Sequence, residues 1–187
     1  FTYDTTAPAS SATFPTAGGS DNAAGWAAGC ATAGLCGTAS DATAGHANVK
    51  VSIKRSSDNT YWNGTAWSGA AENLRTATGT SSWSYALPAS NLTDGLTYTV
   101  HVVAADNAGN TQTSSTFTFT YDTTAPSSSA TFPAAGASYN AAGWAAGCAT
   151  PGFCGTASDA VAGLANVKIS VKRGSDNTYW NGTAWSG

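Results

Sequence analysis

Charge is what this sequence has least of. Seven Lys and Arg and ten Asp and Glu are spread over 187 residues, for a net charge of −3. A typical soluble domain is about one quarter charged. No cluster of basic residues is present to track a phosphate backbone, which excludes nucleic acid as a partner. Long apolar runs are missing, so no segment reads as a membrane span. No window carries apolar residues at helical spacing, which predicts a chain without helices. The single Glu (Glu72), the scattered Asp and two His (His46, His101) come with no GxSxG elbow, phosphate loop or HExxH pair. Nothing in that set assembles the acid, base or nucleophile of an enzyme. Met and any leader or sorting segment are also absent, and the chain opens on Phe1 in what reads as mid-strand. The expectation is a window cut from a longer polypeptide.

Cysteine is scarce but placed in two local pairs, Cys30/Cys36 and Cys148/Cys154, each enclosing five residues. Neither the pairs nor the two His have zinc-ligand spacing. The reading is two short disulfides made in an oxidising compartment, each stabilising its loop by about 2 kcal/mol on the chain-entropy model. Free buried thiols in a reducing compartment are the alternative.

What the sequence has in quantity is repetition. FTYDTTAP at 1–8 returns at 119–126, and residues 1–69 match 119–187 at 58 of 69 positions, a period of 118. The exchanges Val51/Ile169, Ile53/Val171 and Leu35/Phe153 keep apolar for apolar, as a buried face requires, while His46 becomes Leu164. Near-identical neighbours point to an array of equivalent units.

Within one period the hydrophobic alternation has a period of two. Val49, Val51 and Ile53 share one face of NVKVSIKR, and Lys50, Ser52 and Lys54 the other. Trp83, Tyr85 and Leu87 fall together, as do Tyr98, Val100 and Val102, and Phe117, Phe119 and Tyr121. Strands are predicted near 11–15, 36–41, 48–55, 81–88, 96–105 and 113–122, with a hairpin at 60–68. The turns SSDN, NG, ASNLTDG and DNAGN separate them. About seven short strands in some 110 residues predict an all-β fold, an immunoglobulin-like antiparallel β-sandwich. The strand at 96–105 holds no Cys, so the inter-sheet disulfide of antibody domains is excluded, and Tyr98 is placed as the tyrosine corner. The division is a linker at 1–8, a complete sandwich at 9–122, a linker at 123–126 and the first half of a second sandwich at 127–187. The strands that would complete that second half come from a continuing chain or from another chain. Lys50, Lys54 and Arg55 read as a solvated edge that discourages sheet pairing.

The linker YDTTAP, the turn AADNAGNT and CGTASDATAG leading into an alternating strand resemble bacterial Ig-like repeats. These are modules of large, secreted, repetitive surface proteins of the adhesin or fibre type. The resemblance covers the whole period. It implies an extracellular, structural or adhesive array, a stiff spacer whose partners are neighbouring repeats and identical chains in a fibre. The competing reading is a glycan-binding accessory module of a secreted cell-wall-active enzyme.

In such a sandwich the incoming linker and the loops after the second and sixth strands share one pole. That pole gathers Asp4, Asp41 and Asp106, with Asp122 and Asp159 beginning the same set in the second copy. Three carboxylates plus turn carbonyls suit Ca²⁺, which takes six to eight hard oxygen ligands. The resemblance supports this, because family members use calcium at module junctions. Against it, each Asp also suits its own turn, and no DxDxDG spacing is present.

YWNGTAWSG occurs at 61–69 and at 179–187. With Asn63-Gly64 as a two-residue turn, Trp62 opposes Thr65 and lies diagonal to Trp67 on one face. Two such indoles, Trp62 with Trp67 and Trp180 with Trp185, either stack against a sugar ring or cover the core beneath them. Trp26 and Trp144, beside the disulfides, read as structural plugs. The sequons at Asn63, Asn91 and Asn181 are pattern matches of the kind a Thr-rich chain produces by chance.

Overall fold

The computed structural model describes residues 1–112 and 115–187, so the first two positions of the strand expected at 113–122 lie outside the described residues. The chain divides into two compact units, Phe1–Thr124 and Ala125–Gly187.

In unit 1 the elements run β1 (Ala9–Phe14), β2 (Ser20–Asp21), α1 (Ala23–Ala28), β3 (Gly34–Ser40), β4 (His46–Arg55), β5 (Tyr61–Trp62), β6 (Trp67–Ser68), β7 (Arg75–Thr76), β8 (Thr78–Gly79), β9 (Ser82–Ala86), β10 (Leu96–Asp106) and β11 (Ser115–Tyr121). One sheet has the order β1-β3-β9-β8 and the other β2-β11-β10-β4-β5-β6, with β7 also on β4. All pairings are antiparallel except β2 with β11, where Thr120 faces Ser20 and Tyr121 faces Asp21. After β1 the chain leaves the first sheet through the cis Phe14-Pro15 peptide and joins the second as β2. Strand-switching of this kind forms the corners of a sandwich.

The inner faces meet in one core. Val49, Val51 and Ile53 of β4 and Tyr98, Val100 and Val102 of β10 are buried, opposite Leu35 of β3, Trp83 of β9 and Leu87. These are the residues that alternate in the sequence. The core also contains an aromatic column, with Trp67 on Tyr98 at 5.2 Å, Tyr98 on Phe119 at 5.2 Å and Phe119 on Trp26 at 5.0 Å. Two buried indoles find backbone partners, Trp26 Nε1 donating to the Leu87 carbonyl at 2.8 Å and Trp83 Nε1 to the Thr38 carbonyl at 3.1 Å, while Trp62 Nε1 is buried without one. The Tyr98 hydroxyl accepts from the Thr93 amide at 2.8 Å, pinning the turn just upstream in the tyrosine-corner manner. Gly37 lets the sheet close under Trp83, because a Cβ there would lie 2.0 Å from the Ser11 carbonyl oxygen and 2.5 Å from the indole.

Three expectations are corrected. A helix exists: Asn22 caps Ala23–Ala28 by accepting from the Gly25 amide, and Trp26 alone points inward, so six residues are too few to write a stripe. The hairpin is not a two-residue turn. Trp62 pairs directly with Trp67, and Asn63 N–H donates to the Ala66 carbonyl. Only Gly64 in this loop has positive φ, whereas a type I′ turn needs it at both central positions. The Asn63 carboxamide oxygen instead accepts from Thr65 N, Thr65 Oγ1 and Ala66 N, closing a four-residue loop. Tyr85 and Phe117 do face inward, half-buried and packed against the core. Finally, Lys50, Lys54 and Arg55 do not form an edge, since β4 is paired on both sides, by β10 and by β5 and β7. Arg55 pairs with Asp58 and covers the Trp67 ring at 5.2 Å.

Unit 2 contains β12 (Ser127–Phe132), α2 (Ala141–Ala146), β13 (Cys154–Ser158), and the hairpin β14 (Tyr179–Trp180) with β15 (Trp185–Ser186). β12 pairs with β13 in the register of β1 with β3. Both cysteine pairs are disulfides, Cys30–Cys36 and Cys148–Cys154. Among the described residues no helix is long and apolar enough to cross a membrane.

Replacing Tyr98 by Phe leaves the ring stack and orphans the Thr93 amide. Urea unfolding of the whole chain should record a loss of about 1 to 2 kcal/mol. An unchanged midpoint would show that water replaces this bond at no cost.

Candidate metal centre

The pole of unit 1 that receives residues 1–8 is built from three connections. β3 ends at Ser40 and Asp41 opens the loop to β4; β10 ends on Asp106, which opens the turn to β11; Asp4 arrives on the incoming segment. Oxygen atoms of Asp4, Asp41 and Asp106 all lie within 4.8 Å of one another.

One oxygen of each carboxylate serves its own loop. Asp4 Oδ1 accepts from Thr6 N, Asp41 Oδ1 from the amides of Thr43, Ala44 and Gly45, and Asp106 Oδ1 from Ala108 N and Asn110 N. The second oxygens differ. Asp4 Oδ2 takes the Ala44 amide at 3.0 Å, Asp106 Oδ2 takes Asn110 Nδ2 at 2.7 Å, and Asp41 Oδ2 is buried without a partner. Five of the six carboxylate oxygens thus accept a hydrogen bond from the protein, and Asp41 Oδ2 alone has none.

Among the described residues no Lys, Arg or His pairs with this triad; the ion pairs are Arg55–Asp58, His101–Glu72 and Arg173–Asp176. Carboxylates at such separations repel by on the order of 3 kcal/mol per pair at an effective dielectric near 20. A divalent cation would relieve that repulsion and give the orphaned Asp41 oxygen a partner, so the chemistry of these residues fits a hard cation. Burial of Asp106 opposes its charge, yet hydrogen bonds from Asn110, Ala108 and Gly109 outweigh it and hold the carboxyl below its ordinary value of 3.8.

Asn110 is the organiser that sequence reasoning missed. Its Nδ2 donates to the Asp4 and Thr6 carbonyls and to Asp106, tying the incoming segment to the turn. Its place four residues after Asp106 in DNAGN is the only sequence signal, and it reads as turn chemistry. Asp122 is buried at the opposite end of unit 1, where its backbone amide donates to Asp21. That end is about 30 Å away along β10. Asp159 in unit 2 keeps the loop geometry of Asp41, accepting from Val161 N and Gly163 N.

The tryptophan pair of unit 1 turns inward. Trp62 is 4% exposed, and Trp67 is half-buried, 5.3 Å from it, with Nε1 donating to the Asn91 carbonyl. Neither ring offers an open face to a sugar, and both serve the core. In unit 2 the same pair, Trp180 and Trp185, is 44% and 36% exposed, with ring centroids 5.5 Å apart. Elsewhere, Glu72 Oε1 accepts from Ser52 Oγ at 2.6 Å and lies 2.5 Å from His101 Nδ1. These bonds, Ser52 first, lower the Glu72 pKa. Because Ser52 gives its proton to the carboxylate and not to His101, the trio lacks the nucleophile–base contact of a hydrolase.

Residues 36–123 match the family model described as a bacterial Ig-like domain. No curated protein and no solved structure matches the chain.

Two outcomes follow from this geometry. Trp62→Ala should destabilise unit 1 by about 3 kcal/mol or more in denaturant melts, as for a core indole, while cell-wall glycans leave its Trp fluorescence unchanged; a fluorescence shift on titration would restore the sugar platform. The lowered Asp106 and Asp94 carboxyls contribute stability above the ordinary value of 3.8 that is lost as pH falls through their depressed values. Melting temperature should therefore hold down to about pH 4 and drop below it, less steeply in Asp106→Asn.

Proposed function

We propose, from the premise that residues 36–123 are a bacterial Ig-like domain, that the chain is a stretch of a tandem array with a 118-residue period. The array acts as a stiff spacer in a long extracellular surface or filament-forming protein. Its disulfides accord with an oxidising compartment. The 58 identities in 69 aligned positions accord with equivalent modules. The partners are then neighbouring repeats of the same chain and identical chains alongside it.

One observation carries the mechanical part of the reading. A carboxylate on the incoming segment, Asp4, meets Asp41 and Asp106 from two loops of the module body. Ca²⁺ held there by the three side chains ties the segment to the module and removes its freedom to swivel. Asp41 supplies the buried oxygen without a partner, and Asn110 orients the backbone of the segment.

Calcium at a hundredfold excess over its Kd should stabilise unit 1 by about 2.7 kcal/mol, seen as a rise of several degrees in Tm that EGTA reverses. Asp41→Asn keeps the oxygen that accepts the loop amides and removes the second carboxylate oxygen, so its Tm should be the same in Ca²⁺ and EGTA. A wild-type Tm indifferent to both removes the calcium clip.

A further inference from the structure

Strand β13 lies in a stretch that repeats β3 with one exchange, GLCGTAS at 34–40 against GFCGTAS at 152–158. In unit 1, β3 is paired on both sides, by β1 and by β9. Ala39 N donates to the Ser81 carbonyl and Leu87 N to the Ala33 carbonyl. Alternate residues, Leu35, Gly37 and Ala39, therefore aim their backbone groups at β9. In unit 2, β12 takes one side of β13, and among the described residues no strand takes the other. The backbone groups of Phe153, Gly155 and Ala157 thus point at an unpaired edge.

That edge keeps the shape of an occupied one. Gly34 and Gly152 share an unusual backbone angle, φ 151° and 152°. A Cβ at Gly34 would lie 2.1 Å from the Tyr85 carbonyl oxygen and 2.7 Å from Leu87 N, whereas at Gly152 nothing lies within 4 Å. Gly37 lies against the Trp83 indole, but a Cβ at Gly155 would meet only β12, first the Ser129 carbonyl oxygen at 2.1 Å. Beside the edge is a groove of about 350 Å³ lined by Phe153, Val167 and Ile169. Their counterparts Leu35, Val49 and Val51 are fully buried in the core that holds Trp83. Trp144, the counterpart of the Trp26 that donates to the Leu87 carbonyl, is only half-buried. Pro151 stands where unit 1 has Ala33 and keeps the carbonyl that accepts from Leu87 N. The Cys148–Cys154 disulfide and the β12 pairing hold this edge with no strand on its other side.

We infer that unit 2 is an acceptor for an extended segment of another chain, which adds to β13 as an antiparallel strand. The occupant has the chemistry of residues 81–88, SSWSYALP. In the β3–β9 register its Trp sits over Gly155, its Tyr opposite Phe153, and the carbonyl of its Leu takes the Trp144 indole N–H. The backbone ladder supplies affinity, and the alternate side chains supply specificity. Because the edge is already formed, the acceptor adds little ordering cost. A folded second copy has its own β9 engaged on β3 and does not compete. The inference goes beyond the spacer reading and requires no calcium.

The test titrates an acetylated peptide of residues 79–90 into the whole ¹⁵N-labelled chain in EGTA. Saturable amide shifts should appear at Phe153, Gly155, Ala157 and residues 167–169. Exchange of the Gly155 amide should slow by about tenfold or more at saturation. The β3 amides of unit 1 should not move, because β9 already fills that edge. A peptide carrying Trp83→Ala should bind about tenfold or more weakly. In the chain, Ile169→Asp alters an exposed residue, so the spectrum of free unit 2 should persist while the carboxylate in the groove abolishes binding. Absence of saturable shifts, equal binding of the two peptides, or wild-type binding by Ile169→Asp overturns the proposal. So does concentration-dependent dimerisation of the chain alone with shifts at the same amides, which would make a second copy the occupant.

Discussion

Strand β10 runs the length of unit 1 between β11 and β4, and the inner face of the sandwich is assembled on it. Its dependence can be read within one chain, because the sequence of β4 occurs twice. In unit 1, Val49, Val51 and Ile53 are essentially inaccessible, paired along β10 from Tyr98–Arg55 to Asp106–His46. In unit 2 the matching stretch 166–173 has the same alternation but no second β10 among the residues of the chain. There it forms only the isolated bridge Lys172–Tyr179, and Val167 and Ile169 are 57% and 62% exposed. Nearly identical residues are strand in one setting and not in the other. Cross-strand pairing and burial, and not intrinsic propensity, make this strand.

Elements that need no distant partner behave differently. The short helix, capped by Asn22 in one copy and Asn140 in the other, forms in both units. So do the five-residue disulfide loop, the first strand pair and the YWNGTAWSG hairpin. Each is closed by bonds within its own segment or to a strand that both copies possess. The hairpin illustrates the division. Its loop is identical in both units, with the Asn side chain accepting from the same three groups, but Trp62 is buried only where Tyr98 and Phe119 complete the aromatic column. An exposed indole pair in such a repeat therefore reports a missing neighbour as readily as a ligand site.

This separation also explains what was legible from sequence. The inward residues of β4 and β10, Tyr98 as a corner and the meeting of Asp4, Asp41 and Asp106 were readable, because alternation fixes the faces and topology fixes which loops share a pole. What escaped was chemistry carried by a single side chain with several possible partners. Asn63 looks like a turn former and acts as a loop cap. Asn110 looks like a turn residue and holds the incoming segment. Glu72 and His101, distant in sequence, meet only because Ser52 and His101 are cross-strand neighbours in the β4–β10 register. Amide and carboxylate side chains choose partners by distance in the folded molecule, which a one-dimensional pattern does not contain.

The scarcity of charge gives the remaining acids their meaning. Asp4, Asp41 and Asp106 collect at the incoming pole, while Asp21, Asp94 and Asp122 collect at the outgoing one, where Asp122 and Asp21 are joined through the backbone and Asp94 holds the next two residues. Burial raises the Asp21 pKa, whereas Asp94, bonded first by the Thr124 hydroxyl and then by the Thr123 amide, is lowered. Hydrogen bonds to linker amides and hydroxyls satisfy a carboxylate at the outgoing end without a counter-ion. At the incoming end five of the six carboxylate oxygens are likewise hydrogen-bonded, and only Asp41 Oδ2 is buried without a partner. The two ends of unit 1 therefore differ: both oxygens of Asp94 accept hydrogen bonds at one, whereas Asp41 retains a buried oxygen without a partner at the other.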